Sequence, residues 1–185
     1  ILFVGRFSKV KGIETLIYAF NIIKNKLKIT DIRLVIMGVD FGYQNEMFGL
    51  IKKLDLSEEI IVIKNPPRDD VISAYGESEF LILPSQWELS PLVPLESFAF
   101  KRPVISTNSH GIPYTVQNNK NGILVEPENP VQLSDAIAKL LNNSELREKL
   151  GLEGYNFVHK ECNCLSMAKN SLKLYEDVLE NNQNK

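Results

Sequence analysis

Along the chain, short continuous apolar runs alternate with longer segments in which apolar residues recur every three or four positions. Ile1 to Gly5 is the first run, and Ile13, Leu16, Ile17, Phe20 and Ile23 then fall at helical spacing within the stretch from Gly12 to Leu27. Ile32 to Met37 makes a second run that ends at Gly38, and Met47, Leu50, Ile51 and Leu54 mark the next helix. Ile60 to Ile63 gives a third strand, Asn65-Pro66-Pro67 a turn, Arg68 to Tyr75 a short helix, and Phe80 to Leu83 a fourth strand. A helix that begins near Leu92 leads to a fifth strand at Pro103–Ser106, and Ile123 to Val125 is a brief sixth. From Val131 onward the spacing is helical: Leu133, Ile137, Leu140 and Leu141, then Leu146, Leu150 and Phe157, then a last helix over 162–180 through Leu172, Tyr175 and Leu179. Residues 181–185 are polar and are expected to fray.

Continuously apolar strands separated by helices call for a mainly parallel six-stranded sheet with helices on both faces. The pattern therefore predicts a doubly wound, Rossmann-like α/β fold, with residues 1–185 as one domain. Because Ile1 already lies inside a strand and no Met precedes it, the chain is expected to be a piece of a longer protein.

Composition narrows the function classes. The chain is 44% hydrophobic with a net charge of −2 and interspersed signs, which argues against disorder, a basic nucleic-acid stripe or a general membrane-binding face. No apolar run is long enough to span a bilayer, and the segment as given is expected to be soluble and without a leader. Cys162 and Cys164 are separated by one residue, too close for an ordinary disulfide, so a reducing cytoplasmic setting is expected.

The chemistry concentrates in Pro84–Pro103, which holds two carboxylates. Glu88 falls in the loop after the fourth strand and Glu96 about one turn inside the next helix, at the edge where open α/β sheets bind ligands. Gly5-Arg6 and Lys11-Gly12 bracket the loop after the first strand. Two cations beside a helix start would suit a phosphate or diphosphate; without Glu88 and Glu96 the reading would be solvated surface charges. No Gly-x-Gly-x-x-Gly follows a strand and Gly12 is not followed by Lys-Ser/Thr, which disfavours a dinucleotide dehydrogenase and a P-loop NTPase. The glutamates alone would also fit a glycosidase or helix-start charges. His159, Cys162 and Cys164 lack the paired spacing of a zinc site, so no metal is expected. Asp69-Asp70 is expected to cap the helix after Pro67, and His110 to be an exposed loop histidine.

Together, Gly5-Arg6 … Lys11-Gly12, Pro84-Ser85 … Glu88 … Leu92-Val93-Pro94-Leu95-Glu96, Arg102-Pro103-Val104-Ile105, Gly111-Ile112-Pro113 and Asn121-Gly122-Ile123-Leu124-Val125 resemble the carboxyl-terminal half of group 1 retaining glycosyltransferases of the GT-B fold. The resemblance covers nearly the whole chain. It implies a domain that binds a nucleotide-diphosphate sugar of unspecified base and needs no other cofactor. By the same resemblance Arg6 and Lys11 hold the diphosphate, Glu96 receives the ribose hydroxyls, and Glu88 contacts hydroxyls of the transferred sugar. Gly5, Gly38, Pro66, Ser90, Pro91, Leu92 and Val93 would complete the donor pocket. Leu89 and Pro91 stand where the family usually has glycine, which alters the loop that would contact the sugar.

The resemblance further implies an amino-terminal domain, absent here, that carries the site for a glycan or glycolipid acceptor. The whole protein would then transfer sugar to an acceptor hydroxyl in polysaccharide, lipopolysaccharide or glycolipid synthesis. It would work in the cytoplasm, with room for peripheral contact at the inner face of the cell membrane through the missing domain. Two alternatives share the fold: a non-catalytic nucleotide-binding module, and a nucleotide-sugar epimerase, against which the Glu-x7-Glu spacing argues.

Overall fold

The computed structural model describes the backbone of residues 1–183 and the side chains of residues 1–180. Six strands form one all-parallel sheet: β1 (Leu2–Val4), β2 (Leu34–Gly38), β3 (Ile60–Lys64), β4 (Leu81–Leu83), β5 (Val104–Thr107) and β6 (Gly122–Val125). Their order in space is β3-β2-β1-β4-β5-β6. The chain thus winds outward from β1 to one edge, returns to the middle at β4, and winds to the other edge. That reversal leaves a crevice between the loops after β1 and β4, at the carboxyl ends of the strands, where ligands bind to open parallel sheets.

The helices are α1 (Ile13–Asn25), α2 (Gln44–Lys53), α3 (Arg68–Glu77), α4 (Val93–Ala99), the single turn α5 (Ile112–Thr115), α6 (Pro130–Leu141), α7 (Ser144–Glu161) and α8 (Cys164–Gln183). Adjacent strand residues point to opposite faces, and the two cores divide accordingly. Phe3, Leu34 and Ile36 pack against Leu16 and Phe20 of α1, Met47 of α2 and Ile137 of α6. Leu2, Leu81 and Val104 pack against Tyr75 of α3, Phe98 of α4 and Ile112 of α5.

Coverage on both faces, expected from the apolar strands, stops at the edge strand β3. Ile61 is 46% exposed and Ile63 36%, because their face lies beside Val35 and Met37 while α3 packs further in, over β1. The turn α5 has no counterpart in the sequence pattern, which is too short there to show a helical period. Of the tail expected to fray, residues 181–183 continue α8, and residues 184 and 185 lie outside the described residues. Among the described residues no helix is long and apolar enough to cross a membrane.

Candidate functional site

The loop after β1 reaches the crevice through a short 3-10 turn, Lys9–Lys11, closed by Gly12 in a left-handed conformation with φ 68°. A side chain at Gly12 would meet a neighbour before anything else: a Cβ there would lie 1.9 Å from the Pro84 carbonyl oxygen. Gly12 therefore rests directly on the loop after β4, and the Gln86 amide closes the contact by donating to the Val10 carbonyl at 2.8 Å. This approach brings Lys11 to Glu88. The Lys11 ammonium donates to Glu88 Oε1, and the Ser85 hydroxyl donates to the same oxygen at 3.0 Å. The two charged side chains are only 13% and 15% exposed. The ion pair is thus largely withdrawn from water, where removing one partner strands the other.

Glu96, in the first turn of α4, belongs to a second cluster. The Tyr75 hydroxyl donates to Glu96 Oε2 at 2.7 Å, and Arg68 forms an ion pair with Oε1 at 2.8 Å. Burial, then the Glu96 hydrogen bond and charge, pushes the Tyr75 phenol far above its usual range, so it stays a proton donor. Arg68 is held as a cation by the hydrogen bond and charge of Glu96. The expected site carboxylates therefore have separate partners, with Ser90 and Leu92 exposed, Pro91 buried and Val93 half-buried on the segment between them.

The two expected cations also separate. Arg6 is exposed and its guanidinium carbon lies 5.0 Å from the centre of the Phe41 ring, in the loop after β2, while Lys11 is committed to Glu88. Gly5 donates its N–H to the Met37 carbonyl at 3.0 Å, and the Gly38 carbonyl accepts from the Asn65 N–H at 2.8 Å, just before Pro66. These three residues line the neighbouring ends of β1, β2 and β3.

The segment at Leu89 and Pro91 is fixed from the β5 side. The Gly111 N–H donates to the Glu88 carbonyl at 2.9 Å, and a Cβ at Gly111 would lie 1.7 Å from the Leu89 carbonyl oxygen. Thr107 Oγ1 donates to the Ser85 carbonyl, and Ser109 Oγ donates to the Gln86 carbonyl at 2.6 Å. Hydroxyls on and after β5 thus satisfy the backbone that leads into Glu88.

One expectation from the chain pattern changes. Asp69 and Asp70 sit in the first turn of α3 but neither caps it by a side-chain hydrogen bond, because Pro67 occupies the cap position. The comparable role is played at α2 by Asp40, whose Oδ1 accepts from the N–H groups of Gly42, Tyr43 and Gln44 at 2.9, 3.0 and 3.0 Å. The Asp-x-Gly sequence was its signal. His159 stacks on Tyr155 with ring centres 3.9 Å apart, Cys162 and Cys164 are free thiols, and no group of three metal-ligating side chains occurs among the described residues. Arg68, Tyr75 and Ser109 are site neighbours that no motif marked. Tyr75 had a signal in its spacing from Val71, which turns a phenol toward the core, where its hydroxyl needs a partner.

Comparison with known proteins agrees with this architecture. The family model described as glycosyl transferases group 1 matches residues 1–157. Spore coat protein SA of Bacillus subtilis is 32% identical over 185 residues, covering 95% of this chain and 48% of its own length. The crystal structure of the carboxyl-terminal domain of a group 1 family glycosyl transferase, LpcC of Francisella tularensis, superposes with a TM-score of 0.78 at 27% identity, covering 88% of this chain and 86% of that one. Anabaena HepE, solved in complex with UDP, shares the fold with a TM-score of 0.84 at 17% identity, over 95% of this chain and 48% of its own. The chain spans about half the length of the curated relatives it matches. With an all-parallel 3-2-1-4-5-6 sheet, the order of its motifs and a family match over most of its length, the chain belongs to the group 1 glycosyl transferases, as the carboxyl-terminal type of GT-B domain.

Proposed function

We propose that this domain binds the nucleotide-diphosphate sugar used by a retaining glycosyltransferase. The observation that carries the reading is the Lys11–Glu88 pair, closed by Ser85, at the reversal point of the sheet. A largely buried cation at this edge suits a diphosphate, and an adjacent carboxylate suits sugar hydroxyls. In this reading Lys11 and Arg6 offset the charge that develops on the diphosphate as the glycosidic bond breaks, with no metal required. Glu88 accepts hydroxyls of the transferred sugar and stabilises its cationic character, and Glu96 accepts ribose hydroxyls. Gly5, Gly38 and Pro66 lie toward the base, and Ser90, Pro91, Leu92 and Val93 form the wall between the glutamates.

An amino-terminal domain would supply the site for a glycan or glycolipid acceptor, in the cytoplasm or at the inner face of a membrane. UDP in the HepE complex makes a nucleoside diphosphate the first ligand to test. Calorimetric titration of the intact folded chain with UDP, GDP and ADP is expected to show saturable binding to at least one, weakened in Lys11→Ala. Binding to none of the three by folded protein overturns the reading.

A further inference from the structure

His110 has a backbone φ of 48°, in the left-handed region that disfavours any residue with a Cβ. Its ring lies edge-on to Trp87, with centres 5.9 Å apart and an interplanar angle of 63°. Trp87 is 47% exposed and His110 is exposed too. Trp87 immediately precedes Glu88, and His110 immediately precedes Gly111, whose N–H is bonded to the Glu88 carbonyl. An exposed aromatic pair therefore stands on the crevice rim, one residue away from Glu88 on both loops.

The hydrogen bonds of Ser109 determine which nitrogen of His110 carries the proton. Ser109 Oγ lies 2.6 Å from the Gln86 carbonyl oxygen and 2.6 Å from His110 Nδ1. A carbonyl oxygen only accepts, so the single hydroxyl proton goes to Gln86. The serine oxygen then meets Nδ1 with a lone pair, and that contact is a hydrogen bond only if Nδ1 carries the proton. Neutral imidazole has one N–H, so Nε2 presents a lone pair. Among the described residues no group donates to it.

We propose that His110 is a recognition residue of this site. Nε2 accepts a hydrogen bond from a sugar hydroxyl, with the exposed face of Trp87 against the apolar face of the same ring, and Ser109 is the positioning residue that selects the tautomer. The inference rests on the donor-site reading above. Backbone strain kept at a functional rim, where glycine would relieve it, fits such a role.

Two measurements test it. Nitrogen-15 NMR of the imidazole in the free protein is expected to show a protonated Nδ1 and an unprotonated Nε2, and Ser109→Ala to shift the population toward Nε2–H. A predominant Nε2–H tautomer in the parent overturns the proposal. His110→Gly removes the ring and the strain together, so its Tm is expected to equal or exceed the parent's. In the full-length protein it should lose about tenfold in affinity or kcat/KM, the equivalent of one hydrogen bond to a ligand hydroxyl. If UDP-glucose or GDP-mannose binding weakens while UDP or GDP binding does not, the hydroxyl belongs to the donor sugar. A loss confined to the acceptor KM assigns it to the acceptor. Unchanged donor binding and unchanged acceptor KM overturn the proposal, whereas a parent protein that binds no nucleotide overturns the donor-site reading and leaves the tautomer result standing.

Discussion

The Lys11 ammonium and the Glu88 carboxylate meet across the point where the strand order reverses, 77 residues apart in sequence. The contact ties the loop after β1 to the loop after β4, so it is a structural clamp as well as the centre of the proposed donor site. Glu88 satisfies the cation, so in the donor-site reading a diphosphate would have to share Lys11 with it.

This clamp predicts strong coupling. Both side chains are 13–15% exposed, so removing one leaves a mostly buried charge without its partner. Lys11→Ala and Glu88→Ala are each expected to cost about 2–3 kcal/mol, and the double variant less than the sum of the two. Urea unfolding of the four proteins measures the coupling. Additive single costs would show that the pair is not coupled.

Stability should fall on the alkaline side because of two tyrosines. Burial, then Glu96, holds the Tyr75 phenol well above its usual range. Burial, with Glu14, Glu46 and Tyr18 adding to it, pushes Tyr43 up to about 12. Folded chains keep these protons to higher pH than unfolded chains do. Their contribution is therefore complete below about pH 10, the unfolded tyrosine pKa, and is lost as pH rises toward the folded values. Between about pH 10 and pH 12 both tyrosines make stability fall as pH rises, Tyr75 by up to about 1.4 kcal/mol per pH unit and the less deeply buried Tyr43 by less. Tyr75→Phe removes one of the two, so its alkaline decline in urea unfolding should be shallower; an identical slope would mean Tyr75 loses its proton as readily folded as unfolded.

Two glycines hold the loops at backbone contact distance, and alanine at either is expected to push them apart. At Gly12 the new Cβ meets the Pro84 carbonyl oxygen at 1.9 Å with φ at 68°, and at Gly111 it meets the Leu89 carbonyl oxygen at 1.7 Å. Each substitution is expected to cost about 2 kcal/mol or more, from steric overlap and, at Gly12, the left-handed backbone. Gly49, where a Cβ meets nothing within 4 Å, is the control position. Thermal unfolding of the three alanine variants gives the comparison, and a Gly111→Ala variant as stable as Gly49→Ala would show that the β5 loop does not press on Leu89.

The strand pattern made the sheet legible because a parallel sheet buried on both faces leaves continuous apolar runs, as in Leu34–Met37 and Leu81–Leu83. It overstated cover at β3, since Ile61 and Ile63 read the same whether or not a helix lies over them. Lys11 and Glu88 were legible as members of loops at one sheet edge, but their pairing depends on Gly12 lying on Pro84, a contact that local sequence does not encode. Arg6 looked equivalent to Lys11 because both lie on one loop, yet its neighbour Phe41 comes from the next one. Arg68 escaped notice because it reaches Glu96 from the polar side of a helix with no spacing signal, whereas the spacing of Tyr75 from Val71 marks a core position without naming the carboxylate its hydroxyl reaches.

Glu96 offers the sharpest separation of a ligand role from a structural one. Its ionised carboxylate has about four acceptor positions, and Tyr75 and Arg68 occupy two of them at 2.7 and 2.8 Å. The remainder are available to ribose hydroxyls, in the geometry proposed above. For whichever nucleoside diphosphate the parent protein binds, the deoxyribose form is expected to bind about tenfold more weakly, the equivalent of one hydrogen bond to a charged group. Glu96→Gln keeps the volume but removes the charge, so the preference for ribose should shrink to about twofold to threefold. Tyr75→Phe removes a partner of the same carboxylate without touching ligand, so the preference should persist in it. Calorimetry on the three proteins with both nucleotides gives the answer, and a ribose preference that survives Glu96→Gln undiminished places the ribose contact elsewhere.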